Sequence, residues 1–522
     1  MNAARRIAGS PLAALCLVSV YPAIFVLSSN WYMLTLEKAA FVLLVSVGIG
    51  LAMYLVVRLV TAAVIRLVSM VARRETAALK EIVAAGLIAL ACNGILFFLM
   101  YGTIRAIIGE PSLILALLSA ATVLTAWLAA KGRLVYYTSF FAVVTSVSLV
   151  TWLVSFVSAS VEARAEHERA IASTPFKDVK FEKRPNIYLI IYDAYGSRAL
   201  YSEVFGVDNS AIYGILADRG FKVIDTYANY WATWSTMLSL FGGGHHYYDH
   251  NVGNRDSALG RAIMNGTAFN PVFSTLWENG YRTQIIEPFH YLVKEQGKLD
   301  FNHPEEPIYS GLRAFNNPWL DARLNLSVAP NSLEGYFKDM TDVLFERLKV
   351  TASNGGRPWF TYVHFHFPAH GPHPDLERTY PSRTRVANAH IASTTDRILQ
   401  QDPDALLIIM GDHGSHRYYG DQWKVDDPNA NFAPGNIDKN VMALDFFGIL
   451  VAVHSKQRCD DFIYDTLTPV NLMRVVFACL SGRHSLLDGK AADISLYRGS
   501  SGPPYVAVQD GKRLSPWTRL AR

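Results

Sequence analysis

The residues with the clearest chemical potential are an aspartate and a histidine that end an apolar run late in the chain. In LLIIMGDHGSH, Asp412 and His413 directly follow residues that typically form a buried strand. A carboxylate and an imidazole are both good metal ligands. The alternative is an ordinary strand with a polar turn that faces water, so this pair needs partners from elsewhere in the chain. His416, at the end of the same stretch, is assigned to the loop or to a substrate-facing surface.

Other potential ligands also end apolar runs. Asp193 closes NIYLIIYD, while His364 and His366 stand two apart in WFTYVHFHF and therefore share one face of a strand. His370 follows in the next turn. A single such residue is usually structural, but their coincidence at strand ends predicts a divalent metal site. Zn or Mn is favoured, with Ca or Mg as alternatives.

The hydroxyl residues of NYWATWSTMLSLFGGG are the candidate nucleophiles. Thr233, Ser235 and Thr236 precede an apolar helical turn, where each one alone is most often an ordinary N-cap. The functional interpretation is that one hydroxyl binds the metal at the N-terminus of a helix, where backbone N–H groups favour a phosphate or sulfate. The chain has no G-x-S-x-G motif, which argues against a serine hydrolase of that type.

The elements that position these residues form an alternating α/β pattern after residue 184. Capped helices alternate with short apolar strands, which predicts a mostly parallel sheet covered by helices on both faces. In such sheets, sites form at the carboxyl ends of the strands. We therefore predict one large α/β domain over 184–522. The strands are predicted at 186–193, 221–225, 281–288, 359–367 and 405–410, and the helices at 208–220, 270–280, 332–350 and 386–400.

The first 160 residues are predicted to be a membrane domain. The chain is 51% hydrophobic and 18% charged, and most of the apolar excess lies before about residue 160. Segments of about 20 apolar residues are long enough to cross a hydrocarbon core about 30 Å thick. Five are expected, at 10–28, 40–63, 82–103, 111–130 and 135–158, followed by a charged linker over 161–183.

Basic residues predict the orientation of this membrane domain. They concentrate at the N-terminus and in alternate loops, which places the N-terminus in the cytoplasm. Five crossings then place the α/β domain outside the cytoplasm. The basic residues are Arg5 and Arg6, then Arg66, Arg73, Arg74 and Lys80, then Lys131 and Arg133.

Charge and cysteine content exclude other classes of protein. The net charge is +4, and no block of Lys and Arg points to nucleic-acid binding. The four cysteines form no C-x-x-C pair and have no zinc-finger spacing. Cys16 and Cys92 lie in apolar runs, which leaves Cys459 and Cys479 as candidates for a disulfide.

Taken together, these motifs resemble the alkaline phosphatase/sulfatase superfamily over roughly residues 184–485. The resemblance rests on IYLIIYDAYG, NYWATWS, HFPAHGP and MGDHG, with a later segment TPVNLMRVVFACLSG. More narrowly, the chain is similar to lipoteichoic acid synthases and phosphoethanolamine transferases, which join five membrane helices to an extracytoplasmic catalytic domain. The resemblance implies an α/β/α catalytic domain and one metal. Its ligands would be Asp193, the Thr233 hydroxyl, Asp412 and His413, with Thr233 as nucleophile and His370, His364 and His366 as substrate contacts.

The chain also departs from these families. It lacks the C-x-P-S-R or S-x-P-S-R signature at which sulfatases make formylglycine, which argues against sulfate-ester hydrolysis. Ala194 follows Asp193 where many sulfatases have a second aspartate. The hydroxyl segment does not closely match the phosphoethanolamine transferases, so the transferred group stays open. Ser235 remains a competitor to Thr233.

Three functions are consistent with these residues. The leading hypothesis is a metal-dependent transferase that moves a phospho-substituent from a phospholipid or other ester donor to a glycan or lipid of the cell envelope. The transfer would pass through a threonine ester. The second is a membrane-bound hydrolase of sulfate or phosphate esters, and the third is a non-catalytic envelope protein that binds a ligand. The complete set of Asp, Thr, Asp and His argues against the third.

Overall fold

The chain folds into two compact units, which are described separately. One consists of Met1–Val161 with Glu306–Val328, and the other of Glu162–Glu305 with Ala329–Arg522. The structure is a computed structural model. It describes residues 10–30, 36–72, 77–172, 176–245, 270–287, 299–303, 312, 315, 317, 323, 333–353, 356–369, 376–418, 437–497 and 504–520.

The described residues between 10 and 172 form six apolar helices. Many of their large side chains are exposed, as Leu44 and Leu59 are at 70% each. Such exposure suits contact with lipid rather than with water. The helices are α1 (Pro11–Asn30), α2 (Leu36–Ala72), α3 (Ala77–Leu99), α4 (Tyr101–Ile108), α5 (Pro111–Ala130) and α6 (Leu134–Ala172).

Among the described residues, four helices rather than the expected five are long and apolar enough to span a membrane. These spans are Glu37–Leu67, Lys80–Leu99, Pro111–Ala130 and Leu134–Ser155. The apolar part of α1, Pro11–Leu27, is shorter. At 1.5 Å per residue it covers about 26 Å, less than the roughly 30 Å of a typical hydrocarbon core. The expected segment 82–103 also ends earlier, because α3 ends at Leu99 and a separate helix, α4, begins at Tyr101.

A segment that is distant in sequence belongs to this first unit. Leu312 and Phe315 are buried in its apolar cluster. The Asn317 side-chain amide donates a hydrogen bond of 2.6 Å to the carbonyl of Phe98, near the end of α3. Carbonyls in the last turn of a helix lack intrahelical donors, so this bond satisfies one of them.

The second unit is centred on a seven-stranded sheet. Its order is β2-β7-β6-β1-β5-β3-β4, and every pairing is parallel except those made by β7. The predicted mostly parallel sheet is therefore confirmed. The strands are β1 (Ile187–Tyr192), β2 (Lys222–Tyr227), β3 (Arg282–Ile286), β4 (Phe301–His303), β5 (Trp359–Phe365), β6 (Leu406–Gly411) and β7 (Gly448–His454).

Helices cover both faces of this sheet. Along β1, Ile187, Leu189 and Ile191 belong to one buried cluster, while Tyr188 and Ile190 belong to another. This alternation follows from the two-residue period of a strand. Because both faces of β1 are buried, its sequence is apolar throughout. The helices are α7 (Arg198–Phe205), α8 (Ser210–Asp218), α9 (Thr233–Gly242), α10 (Pro271–Glu278), α11 (Leu333–Ser353), α12 (Leu376–Gln401), α13 (Lys439–Phe447) and α14 (Pro469–Ser481).

A small antiparallel sheet and a disulfide complete this unit. The sheet contains β8 (Ile494–Tyr497), β9 (Tyr505–Gln509) and β10 (Lys512–Arg519). The disulfide joins Cys459 to Cys479, whose Cα atoms are 5.3 Å apart. Cys16 and Cys92 are free thiols in the apolar helices.

Candidate active site

The site lies where three neighbouring parallel strands end. Tyr192, the last residue of β1, is in register with Phe365 at the end of β5 and with Gly411 at the end of β6. The residues that follow these three are Asp193, His366 and Asp412. The sheet register therefore brings to one rim three side chains that are separated by up to about 220 residues in sequence.

Asp193, Asp412 and His413 form a buried group able to hold a metal ion. One ligand atom from each lies within 4.8 Å of the others. The His413 Nε2 atom is 3.5 Å from Asp193 Oδ1 and 3.5 Å from Asp412 Oδ2. The Nδ1–H of His413 donates to the Gly414 carbonyl at 2.8 Å, which leaves Nε2 with its lone pair toward the carboxylates.

The backbone fixes one oxygen of Asp412 and leaves the other to the site. Oδ1 accepts hydrogen bonds from the backbone N–H of Ala194 at 2.8 Å and of His413 at 3.0 Å. Ala194 adopts a positive φ of 60°, which turns its N–H toward Asp412. Oδ2 is buried and accepts no hydrogen bond of normal geometry from the described residues.

Two glycines of the MGDHG motif permit close backbone contacts. A Cβ at Gly411 would lie 2.1 Å from the Tyr195 carbonyl oxygen, and one at Gly414 would lie 2.1 Å from the Asp445 carbonyl oxygen. Atoms cannot approach so closely, so any other residue would displace the turn that carries Asp412.

Asp445 anchors the same turn from α13. Its buried carboxylate accepts hydrogen bonds from the Ser415 hydroxyl and from the backbone N–H groups of Arg417 and Tyr418, the latter two at 2.9 and 3.0 Å. Burial raises the pKa of Asp445. Sequence reasoning missed this residue, because nothing in the sequence near Asp445 shows that it meets a turn 30 residues earlier.

His416 lies in the loop after β6, as the sequence predicts, but it is buried and does not form a substrate-facing surface, which corrects that alternative. It is 1% exposed, and its ring stacks on that of His413 with 4.4 Å between centroids and 10° between planes. Its positive φ of 57° is what turns the ring back onto His413. The side chain therefore supports one face of the His413 imidazole.

Thr233 is the hydroxyl residue that the structure places against the group. Its Oγ1 lies 3.1 Å from His413 Nε2. It is the first residue of α9, which begins after Ala232 without a side-chain cap. The N-terminus of a helix favours an anionic group. The Thr236 hydroxyl instead donates to the Tyr230 carbonyl at 3.0 Å, and Ser235 is buried two residues beyond Thr233.

Two of the three predicted substrate histidines lie at the site. His366 Nε2 is 3.0 Å from Asp193 Oδ2, and its side chain is 36% exposed. His364 Nε2 is 3.9 Å from Asp412 Oδ2, and its Nδ1 is hydrogen-bonded to the Tyr362 hydroxyl at 2.8 Å. His366 thus forms part of the accessible rim, while His364 is buried behind it. His370 lies outside the described residues.

Burial and the charges of neighbouring side chains shift the pKa values of the site residues. Burial, reinforced by the nearby charge of Asp193, raises the pKa of Asp412. Burial lowers the pKa of His413 and of His364, so both imidazoles are neutral at pH 7. The charge of Asp193 raises the pKa of His366. Two buried carboxylates so close together are unfavourable unless a proton or a metal ion offsets their charge.

The residues present fit a divalent cation. A neutral imidazole lone pair, two carboxylates and a hydroxyl form a mixed N/O donor set, and the buried Oδ2 of Asp412 accepts no hydrogen bond of normal geometry from the described residues. Such donors suit Zn or Mn.

These features define an α/β enzyme fold with a candidate metal site at the carboxyl ends of its strands. The Sulfatase family model matches residues 186–464, more than half of the chain. The chain therefore belongs to the sulfatase family of the alkaline phosphatase superfamily, whose members are generally hydrolases or transferases. No curated protein matches it in sequence.

Three solved structures of low sequence identity are similar to parts of the chain. i-CgsB in complex with k-i-k-neocarrahexaose has a TM-score of 0.42 and 15% identity, over 64% of this chain and 85% of that one. The periplasmic domain of EptC from Escherichia coli, in complex with Zn, has a TM-score of 0.35 and 10% identity, over 58% and 83%. The periplasmic domain of the phosphoethanolamine transferase EptC from Campylobacter jejuni has a TM-score of 0.36 and 9% identity, over 60% and 96%.

Proposed function

We propose that this chain is a metal-dependent, membrane-bound transferase that moves a phospho-substituent of the phosphoethanolamine or phosphoglycerol type. The donor is a phospholipid or similar ester, and the acceptor is a glycan or lipid of the cell envelope. The observation that carries the proposal is the convergence of the Thr233 hydroxyl, at the start of α9, on the buried group of Asp193, Asp412 and His413.

In this proposal Asp193, Asp412 and His413 hold the cation, with Thr233 as the fourth ligand. A bound divalent cation lowers the pKa of a hydroxyl and offsets negative charge on phosphorus. His413 presents a neutral Nε2 because its Nδ1–H is held by Gly414.

The transfer takes two displacements at phosphorus. The Thr233 Oγ1–P bond forms as the bond from phosphorus to the donor alcohol breaks, and that alcohol leaves with the proton. An acceptor hydroxyl then attacks phosphorus, and Thr233 regains its hydroxyl. The N-terminus of α9 and the rim residue His366 orient the phosphoryl oxygens, with His370 and His364 as further substrate contacts.

We further propose that the apolar unit crosses a bacterial inner membrane several times and that the catalytic domain lies outside the cytoplasm. The disulfide between Cys459 and Cys479 supports this location, because such bonds persist in oxidising compartments. We assign α1 as a fifth crossing. It packs closely on α2, since a Cβ at Gly50 would lie 2.9 Å from Cys16 Cα. Protease added to intact spheroplasts should then remove the domain after residue 184. Protection of that domain in intact spheroplasts, with cleavage only after lysis, would contradict the location.

The competing activity is hydrolysis of sulfate or phosphate esters, which the Sulfatase family match favours. The test uses purified full-length protein, phospholipid with a labelled head group, and an envelope glycolipid fraction. A transferase moves the label to the glycolipid and releases little free head group without an acceptor. Rapid release of free head group without an acceptor would identify a hydrolase. The Asp412→Ala variant controls for activity that does not depend on the site.

A further inference from the structure

A second pocket lies away from the strand ends, between α14 and the turn after it. It is a cavity of about 260 Å³, whose polar lining includes Arg474, Lys490, Tyr464 and Asp488. Its size is just below the usual range for organic ligands, about 300–1,000 Å³, so it has room for a charged group and a small attached moiety.

Arg474 is a buried cation with no carboxylate partner in the described part of the chain. It is 5% exposed, and no described Asp or Glu forms an ion pair with it. Its Nη1 and Nη2 atoms donate to the carbonyls of Leu486 at 3.3 Å and Gly243 at 3.1 Å. Its Nε–H is buried and has no hydrogen-bond partner among the residues that the structure describes. A buried charge is costly unless it is paired, so the site favours an anion.

The rest of the lining contains one further basic side chain, that of Lys490. Lys490 is half exposed and lies 4.4 Å from the Tyr464 ring centroid, a cation–π contact. The buried carboxylate of Asp493, 3.9 Å from Lys490, already accepts hydrogen bonds from Thr468, Asn471 and Tyr464. Asp488 also lines the pocket but pairs with neither basic residue among the described contacts.

We propose that this pocket binds an oxyanion, the phosphate or sulfate group of a small ester, through Arg474 with Lys490 at the opening. A guanidinium matches the planar arrangement of oxygens on such groups and binds them with paired hydrogen bonds. The unused Nε–H, together with the remaining N–H of an Nη atom, provides such a pair of donors.

The pocket is a separate site from the one at Thr233. Arg474 donates to the carbonyl of Gly243, just after the end of α9, whereas Thr233 begins α9. Ten residues of helix separate these ends by about 15 Å, too far for one phosphoryl group to contact both. The ligand held at Arg474 is therefore not the group under transfer.

The test measures thermal unfolding of full-length protein in detergent, in an Asp412→Asn background that disables the first site. Inorganic phosphate, sulfate and glycerol 3-phosphate are titrated, with chloride at equal ionic strength as the reference. We expect a saturable rise in Tm beyond that in chloride. A larger shift with glycerol 3-phosphate than with phosphate would show that the cavity also holds the attached moiety. Equal shifts would restrict the ligand to the oxyanion itself.

Arg474→Gln should remove the response. The matched control is Arg357→Gln, because Arg357 also donates to a carbonyl just after a helix, that of Gly280 at 2.9 Å, but is exposed. If Arg474→Gln fails to fold, Lys490→Gln at the opening should still weaken the apparent affinity several-fold. The proposal is overturned if no oxyanion raises the Tm beyond its value in chloride. It is also overturned if the rise in Tm persists in Arg474→Gln, or if the apparent affinity is unchanged in Lys490→Gln.

Discussion

The hydroxyl oxygen of Thr233 lies 3.1 Å from Nε2 of His413, although 180 residues separate them in the chain. The contact joins the start of a helix to the turn after a strand. It makes the proposed nucleophile and the proposed metal ligands parts of one site.

Asp412→Ala should abolish metal binding. Asp412 is held by two backbone N–H groups and directs its second oxygen to the site, so its loss removes a preoriented ligand. Elemental analysis should find about one equivalent of Zn or Mn in the wild type and little in the variant. Asp404→Ala is the matched control. Asp404 lies just before β6, whereas Asp412 lies just after it, and the side chain of Asp404 is 75% exposed. Equal metal content in Asp412→Ala and the wild type would refute the site.

Stabilisation by metal should increase with pH. Burial and Asp193 raise the pKa of Asp412, so a proton on this carboxyl stabilises the metal-free fold at low pH, and that contribution is lost as the pH rises through the raised pKa. Metal binding needs the ionised carboxylate and displaces the proton. Affinity should therefore fall by up to about tenfold per pH unit below that pKa for each proton displaced.

The measurement compares Tm with metal and with chelator from pH 5 to 8. His413 should not add to the trend near neutral pH, because burial lowers its pKa and keeps it neutral. A metal-dependent Tm shift of the same size at pH 5 and pH 7.5 would contradict the assignment.

His416→Ala should weaken metal binding, whereas His416→Phe should largely preserve it. The ring of His416 stacks on His413, so an aromatic replacement keeps the support that alanine removes. We expect a loss of about tenfold, the lower end of the range found when hydrogen-bonded outer-shell partners of metal ligands are removed. Competition with a chromophoric chelator gives the dissociation constants. Wild-type affinity in His416→Ala would show that the stacking has no role, and equal loss in both variants would indicate a ligand instead.

Removing the disulfide should lower stability without lowering metal content. Cys459 and Cys479 close a loop with a sequence separation of 20, for which chain entropy predicts a loss of about 3 kcal/mol. Thermal unfolding of a Cys459→Ala/Cys479→Ala double variant measures the loss. The control is a Cys16→Ala/Cys92→Ala double variant, whose unfolding should respond to a reducing agent as the wild type does, since these thiols are free. Unchanged stability in the first variant would contradict the prediction.

Parts of this architecture were predictable from sequence because they follow local patterns. β1, β5 and β6 are fully buried apolar runs, and the carboxyl ends of parallel strands meet at one edge. That rule alone brings Asp193 and Asp412 together. The hydropathy of the first 160 residues likewise indicated membrane helices and placed the first apolar segment correctly, but that segment is shorter than the four candidate spans.

Other features depend on contacts between distant segments. Glycine is required at 411 and 414 because the carbonyl oxygens of Tyr195 and Asp445 lie against these positions. The spacing of residues in the sequence does not predict either contact. His416 joins the site only because its backbone adopts a positive φ. The strand β7 was missed because it follows α13 without a break and runs antiparallel to its neighbours.

The most direct test of the proposed mechanism is to locate the covalent intermediate. Wild-type protein, Thr233→Ala and Ser235→Ala are incubated with bacterial phospholipid in the presence of Zn or Mn and without acceptor, then quenched, digested and analysed by peptide mass spectrometry. We expect a phospho-substituent on Thr233 in the wild type and in Ser235→Ala, and none in Thr233→Ala. A substituent at Ser235 in the wild type, or any substituent on this peptide in Thr233→Ala, would contradict the account.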